Sequence, residues 1–495
     1  NSMSFWRRNR NIICRAACTH FFCLEGMLTG VWASQLPNIQ DRSNLSDGVL
    51  GLCVLCVYLG TVLATPTAGF LNRLLGSKWA TITSAMLYIL SLPIIGIKAD
   101  IALLITGMFL FGITMGLMDV SMNACGVVAE LVADKPLMGS FHGSYSIAAA
   151  LSSVLGSGLA SINWTPLEIF SAVCSVSVLT TLMAGGGLYK WKDEAYYSSK
   201  HWKLLRRAET GMIEPMQETL HSMKVSSQSE EESTQRLVHG EQEKEDSSLC
   251  QCAVPRNAAL YLCAVGFLAS YGEGAMVTWS VIYFKRYVDT PRALATVGFF
   301  TFMVCMAVGR FSCDYIRRKV GRRRLVRVAG IVAGVGLLLT VAAPSLPLNV
   351  GPAVCGLALT GAGLSTLIPT VFSSAGHLPG THSGTSIATA AAFTYCGSIV
   401  SPPMVGGLSD GMDSLRWAFL VVAIILSVIA PLSYGVPPEL VVETKDNSAI
   451  DGNSISCSSD GYSISAASDT HCTSPYEGLQ NPLLRYSDGT GSEYE

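Results

Sequence analysis

The chain has 495 residues, 14% of them charged and 50% hydrophobic, with a formal net charge of −2 and a mean hydropathy of +0.41. Soluble domains carry roughly 25% charged residues. The charges here crowd into 190–255 and 436–495, and the remaining apolar runs lack the charged face that a large soluble helical core needs, which excludes one. The near-neutral balance gives no reason to expect a nucleic-acid partner.

The apolar runs, taken in order, are 11–36, 47–71, 79–97, 101–129, 138–161 and 166–189, then 257–284, 292–316, 325–345, 350–376, 382–407 and 414–435. Each is long enough to cross a hydrocarbon core of about 30 Å. The expected fold is therefore an all-α membrane protein, with twelve transmembrane helices in two pseudo-symmetric six-helix bundles. The expected divisions are an N-terminal segment 1–10, a bundle 11–189, a middle loop 190–256, a second bundle 257–435 and a tail 436–495. The first run is too long for a cleavable signal and lacks a cleavage site. Asn1 and Ser2 before Met3 read as a trimmed or fused start.

Glu25 lies mid-span in the first run, and Thr29 and Trp32 share its helix face. Trp32 beside a carboxyl suits stacking on a sugar-like ring, or it is an interfacial anchor. Two glycosylation sequons follow, Asn44-Leu45-Ser46 and Asn163-Trp164-Thr165. Ser46 and Thr165-Pro166 read better as the N-termini of the second and sixth spans. In the fourth run Gly112, Gly116, Asp119, Asn123 and Glu130 fall on one face, with small residues for close helix approach and then a polar stripe. His142 opens the fifth span and either titrates near neutral pH or is structural. Residues 190–212 mix Trp and Leu with Lys and Arg, as an interfacial helix does. Residues 226–247 are too polar to fold. Cys250 and Cys252 are juxtamembrane thiols, palmitoylated or incidental.

The seventh span carries Glu273-Gly274 with Trp279, echoing Glu25-Gly26 with Trp32 at a spacing one residue shorter. Trp279 joins the face of Glu273 only if the helix unwinds near Gly272 and Gly274, which glycine permits. The eleventh span has Tyr395 before Ser401-Pro402-Pro403, the makings of a kink. The tail is expected to be disordered. It holds Tyr476-Glu477-Gly478-Leu479 and Pro482-Leu483-Leu484, patterns resembling signals read by sorting adaptors.

A charge at mid-membrane costs at least about 2.5–3.5 kcal/mol, much of which a carboxyl escapes by carrying a proton. Glu25, Glu273 and Asp119 are thus candidate proton carriers, the alternative being structural acids that fix helix packing. No Walker motif, HExxH or metal-spaced Cys/His cluster is present, so no cofactor is expected and the driving force would be a gradient. Basic residues set the orientation. Arg7, Arg8, Arg10 and Arg15 flank the first span's start, Arg73 and Lys78 follow the second, and Arg317, Arg318, Lys319, Arg322, Arg323, Arg324 and Arg327 follow the eighth. Both termini and the middle loop are expected on the cytoplasmic side, in the plasma membrane or an endosomal or lysosomal one.

One loop grammar appears twice, as GFLNRLLGSK at 69–78 and GRFSCDYIRRKVGRRR at 309–324. Gly69, Asn72, Arg73 and Gly76, with Gly309, Arg310, Asp314, Gly321 and Arg322, are the candidate gating residues. This grammar resembles the loop signature of the major facilitator superfamily. LMDVSMNACGVVAELVADKPLMGSFHGSYS, with 272–284 and 384–407, is similar to the bacterial fucose-permease-like subgroup, over roughly 11–435. The resemblance implies a charge–dipole lock in which Asp314 faces the start of the fifth span near Gly139. Asn72 at the first-half acid position would weaken that half's lock. In the subgroup an acid commonly precedes the seventh-span Trp, where this chain has Thr278.

The resulting expectation is a proton-coupled secondary transporter in a lipid bilayer. It would carry a small polar, sugar-like solute past Thr29, Trp32, Asn123, His142, Trp279 and Tyr395. The alternatives are a proton-independent facilitator or exporter and, from another class, a non-transporting receptor or scaffold.

Overall fold

The computed structural model of the chain describes residues 2–98, 100–133, 137–188, 257–288, 290–291, 294–376, 378 and 383–437, with 440–441, 456–459, 462–465 and 487–488 of the tail. The first bundle is α1 (Ser2–Arg42), α2 (Asp47–Leu75), α3 (Ser77–Gly96), α4 (Ile101–Ala133), α5 (Met138–Ser161) and α6 (Pro166–Gly185). The second is α7 (Ala258–Tyr287), α8 (Val297–Val320), α9 (Arg322–Ala342), α10 (Val350–Ser365) with α11 (Leu367–Ala375), α12 (Ser383–Gly411), and α13 (Leu415–Ser427) with α14 (Ile429–Leu432).

Twelve spans result because the tenth and twelfth are each two helices end to end. Both breaks fall four residues before a proline, at Ser365 before Pro369 and at Ser427 before Pro431. Proline removes one i→i−4 hydrogen bond and crowds that carbonyl. Among the described residues nine spans are long and apolar enough to cross a membrane by composition. The other three are α5, α8 and α12, which pack against the opposite bundle, α5 on α8 and α12 on α2. Of these, α8 drops out by described length alone, its apolar stretch being Val297–Cys313, just before Asp314.

Duplication is visible atom by atom. Gly76 and Gly321 adopt the same left-handed turn (φ 77, ψ 153 and φ 80, ψ 153), which only glycine enters freely. Each donates its N–H to a carbonyl four residues back, Asn72 at 3.0 Å and Arg317 at 2.8 Å. Two residues on, Lys78 donates to the Gly186 and Leu188 carbonyls and Arg323 to that of Val436, closing the end of each bundle's sixth span. The interval is 245 residues for both pairs, 76 to 321 and 78 to 323.

Glycines set the tightest helix pairs. A Cβ on Gly26 or Gly30 of α1 would overlap the carbonyls of Tyr145 and Ala149 in α5, and one on Gly397 of α12 would overlap that of Phe267 in α7. Gly112 and Gly116 do the same for α4 on α2, as does Gly361 for α10 on α8. Ser46 and Thr165 cap α2 and α6, the latter in a capping box with Glu168.

Several expectations need correction. α7 is continuous through Gly272 and Gly274. Those glycines serve close packing instead, against Leu426 and Leu364 and against Ser398 and Ser401. Gly69, Asn72 and Arg73 belong to the final turns of α2, while Gly309 and Arg310 lie well inside α8. Counting back from the turn glycines, Asp314 corresponds to Gly69, and Asn72 to Arg317. α1 already begins at Ser2. In the tail, Leu440–Val441, Ser456–Ser459, Tyr462–Ser465 and Ser487–Asp488 pair antiparallel in that order, where the composition suggested no regular structure. The interfacial segment 190–212, the polar stretch 226–247, Cys250, Cys252 and both sorting-like motifs lie outside the described residues, as does the Asp314 side chain.

Candidate functional site

The site is assembled where α1, α4 and α5 face α7, α8 and α12. Gly26 brings the α1 backbone onto Tyr145 of α5, and its neighbour Glu25 is held at that crossing with only 4% of its surface exposed. Thr29, one turn on, shares a 3.4 Å hydrogen bond with the Tyr88 hydroxyl. Glu25 lies within electrostatic reach of Asp119 of α4 and of the tyrosines Tyr88 and Tyr145. Asn123 Nδ2 donates to both the Asp119 carboxylate and the Asp119 carbonyl, each at 2.8 Å. Tyr395 of α12 reaches Asp119 from the other bundle, yet 41% of its surface is open. It therefore lines a gap between the bundles.

On the second side Glu273 Oε1 accepts Arg310 Nη2 at 2.8 Å, and Arg310 Nη1 donates to Ser146 Oγ of α5 at 2.9 Å. The guanidinium thus ties an acid of its own bundle to a hydroxyl of the other. Their side chains keep 13% and 20% exposure, so the pair is mostly but not wholly dry. Tyr58 of α2 lies beside Glu273, and Tyr145 is within electrostatic reach of Glu25, Glu273 and Arg310 together. His142 packs edge-on against Phe22 at 5.1 Å and faces Arg310.

Of the residues singled out in the sequence, Glu25, Thr29, Asp119, Asn123, His142, Glu273 and Tyr395 come together. Two do not. Trp32 is 2% exposed and lies tilted on Phe111 at 5.8 Å inside the first bundle. Trp279 is fully buried and packs against Gly406 at the α2–α12 contact, away from Glu273, because the unbroken helix turns it to another face. Arg310, read as a gating residue, is central. Glu130 leaves the polar stripe of α4 to accept the first amides of α5, from Leu137 at 2.6 Å and Met138 at 3.0 Å. The α5 start near Gly139 is also approached by the Arg310 carbonyl.

Sequence reasoning missed Tyr58, Tyr88, Tyr145 and Ser146. Only the last two left a signal, at the third and fourth positions after His142 and hence on its helix face. Chemically, three carboxyls and one guanidinium at membrane depth carry more negative than positive charge when all are ionised. Binding a proton or a cation relieves that excess.

Residues 21–374 and 262–456 match the profile of the Major Facilitator Superfamily. The chain belongs to that family. Curated relatives include the uncharacterized transporter y4wD of Sinorhizobium fredii (strain NBRC 101917 / NGR234), 26% identical, covering 83% of this chain and 95% of the relative. An uncharacterized MFS-type transporter of Yersinia pestis is 24% identical over 83% and 92%, and membrane protein MosC of Rhizobium meliloti is 23% identical over 81% and 85%. Among solved structures, the proton:xylose symporter XylE bound to 6-bromo-6-deoxy-D-glucose aligns with a TM-score of 0.58 at 15% identity, covering 87% of this chain and 97% of that one. A structure of the nucleoside transporter NupG aligns at 0.59 and 10% identity, covering 86% and 99%. This major facilitator is a multi-pass integral membrane transporter of small solutes and not an enzyme.

Proposed function

We propose that this chain carries a small polar, sugar-like solute together with protons by alternating access. The Arg310 guanidinium shared between Glu273 and Ser146 is the observation that carries the reading. An acid whose charge partner also spans the bundle interface links its protonation to how the bundles meet. Protonating Glu273 frees Arg310 to hold the other bundle or a solute hydroxyl. Glu25 and Asp119 form the second acidic pair, with Tyr395 on the far wall. Structural neighbours named for xylose–proton symport and nucleoside transport support a polyhydroxylated solute. The fucose-permease-like motifs support the same class. The basic helix ends favour cytoplasmic termini, which puts the Gly76 and Gly321 turns on the cytoplasmic face, in the plasma membrane or an endosomal or lysosomal one. Sorting adaptors at the tail belong to the endosomal alternative.

Uptake of a panel of pentoses, hexoses, cyclitols and nucleosides into proteoliposomes, with and without an inward proton gradient, tests this. At least one solute accumulates above its external concentration only with the gradient. Equal rates in both conditions would leave a facilitator and remove the proton from the account.

A further inference from the structure

The bundles also meet at the end opposite the Gly76 and Gly321 turns, and four helices bring polar groups there. The Asp410 carboxylate, near the end of α12, accepts the N–H groups of Asp47 at 3.0 Å and Gly48 at 2.9 Å. These are first-turn amides of α2, unpartnered within their helix and at its positive end. A Cβ on Gly48 would stand 2.6 Å from the Asp410 oxygen, so a side chain there would make the carboxylate shift. Asp47 points the other way. Its Oδ2 accepts Arg286 of α7 at 2.7 Å and Ser409 of α12 at 2.6 Å, and its Oδ1 accepts Gln40 of α1 at 2.6 Å. Asp47 is only 7% exposed. Lys285 of α7 pairs with Asp41 of α1 beside it.

Apart from Gln40, every partner in this cluster lies in the opposite bundle. Asp41, Asp47 and Gly48 belong to the first, and Lys285, Arg286, Ser409 and Asp410 to the second. Packing within a bundle has no use for these contacts.

We propose that Asp47 and Asp410 form a reciprocal inter-bundle latch, each acid held by donors of the other bundle, which keeps this end shut and parts when the bundles rock to open it. The latch depends on neither the solute nor the proton, so it stands or falls separately from the transport reading. It also differs from the lock that the family resemblance implies, which involves Asp314 and the opposite end. Two aligned oxygens on consecutive amides fix the register of α12 against α2. Arg286 and Ser409 on the neighbouring acid then make the closure one cooperative unit.

Hydrogen exchange read by mass spectrometry on the full chain in nanodiscs tests it, comparing wild type with Asp410→Ala and Arg286→Gln. Both variants are expected to raise exchange together in the four segments 38–42, 45–50, 283–287 and 404–411. The rise should be roughly tenfold, the change expected when one charge-assisted hydrogen bond between two states is lost. A rise confined to the amides of 47–50 in Asp410→Ala would make Asp410 a local helix cap and overturn the latch. No change in either variant would overturn it too. Should Asp410→Ala fail to fold, Ser409→Ala with Arg286→Gln gives the same readout.

Discussion

Arg310 is the residue on which the site turns. Removing Glu273 strands its guanidinium in a mostly dry interface. Glu273→Ala should therefore lower stability by about 1–3 kcal/mol, less than the roughly 3–5 kcal/mol of a fully buried pair, because both side chains keep some solvent contact. Thermal unfolding in detergent checks this. The double variant with Arg310→Ala should recover part of the loss, and strict additivity would show that the two do not interact. Ser146→Ala removes one hydrogen bond accepted from the guanidinium but leaves that charge paired with Glu273, and should slow uptake by no more than several-fold, whereas Glu273→Gln should abolish gradient-driven uptake. The three acids were legible in the sequence because a carboxyl inside an apolar run is costly and conspicuous. Arg310 was misread because it follows Gly309 in a stretch that resembles a loop signature, and that resemblance outweighed its place inside the expected eighth span, 292–316. Tyr58 and Tyr88 were silent because an aromatic hydroxyl in an apolar span looks like core.

At the scale of elements, helix contacts here are set by missing side chains. Gly112→Ala must push α4 away from the Val57 backbone and should cost about 1–3 kcal/mol. Gly158→Ala in α5 meets nothing within 4 Å and should be neutral or stabilising by up to about 1 kcal/mol, through helix propensity alone. Melting temperatures of the two variants, side by side, check the contrast. Span positions were readable because hydropathy and length nearly determine them. The end-to-end helices of the tenth and twelfth spans were not legible from Pro369 and Pro431 alone, since Pro37, Pro66, Pro93, Pro402 and Pro403 lie inside unbroken helices. The expected break in α7 was wrong for a reason that applies to membrane helices generally. Glycine permits unwinding, yet a glycine that meets a neighbouring helix is worth more as a contact.

Across the whole molecule, the duplicated turns were visible as a sequence repeat, and the structure extends the repeat to the lysine and arginine that close each sixth span. The way the bundles meet was not visible. Asp47 and Asp410 are 363 residues apart, and nothing local in either segment names the other. Inter-bundle links include Arg310 with Ser146 and Tyr395 with Asp119 at mid-depth, and the Asp47–Asp410 cluster at one end. A rocking motion that opens that end must break the Asp47–Asp410 cluster and rearrange the mid-depth links. Coupling therefore predicts that protons cross with solute and that the acids of the mid-depth links carry them. The most direct measurement is solute-evoked proton movement, read by a pH dye inside proteoliposomes holding the full chain, for whichever solute the uptake panel identifies. Wild type should acidify the lumen when solute is added outside, while Glu25→Gln and Glu273→Gln should bind solute without moving protons. Solute entry in wild type with no pH change, or an unchanged signal in both variants, would contradict the account.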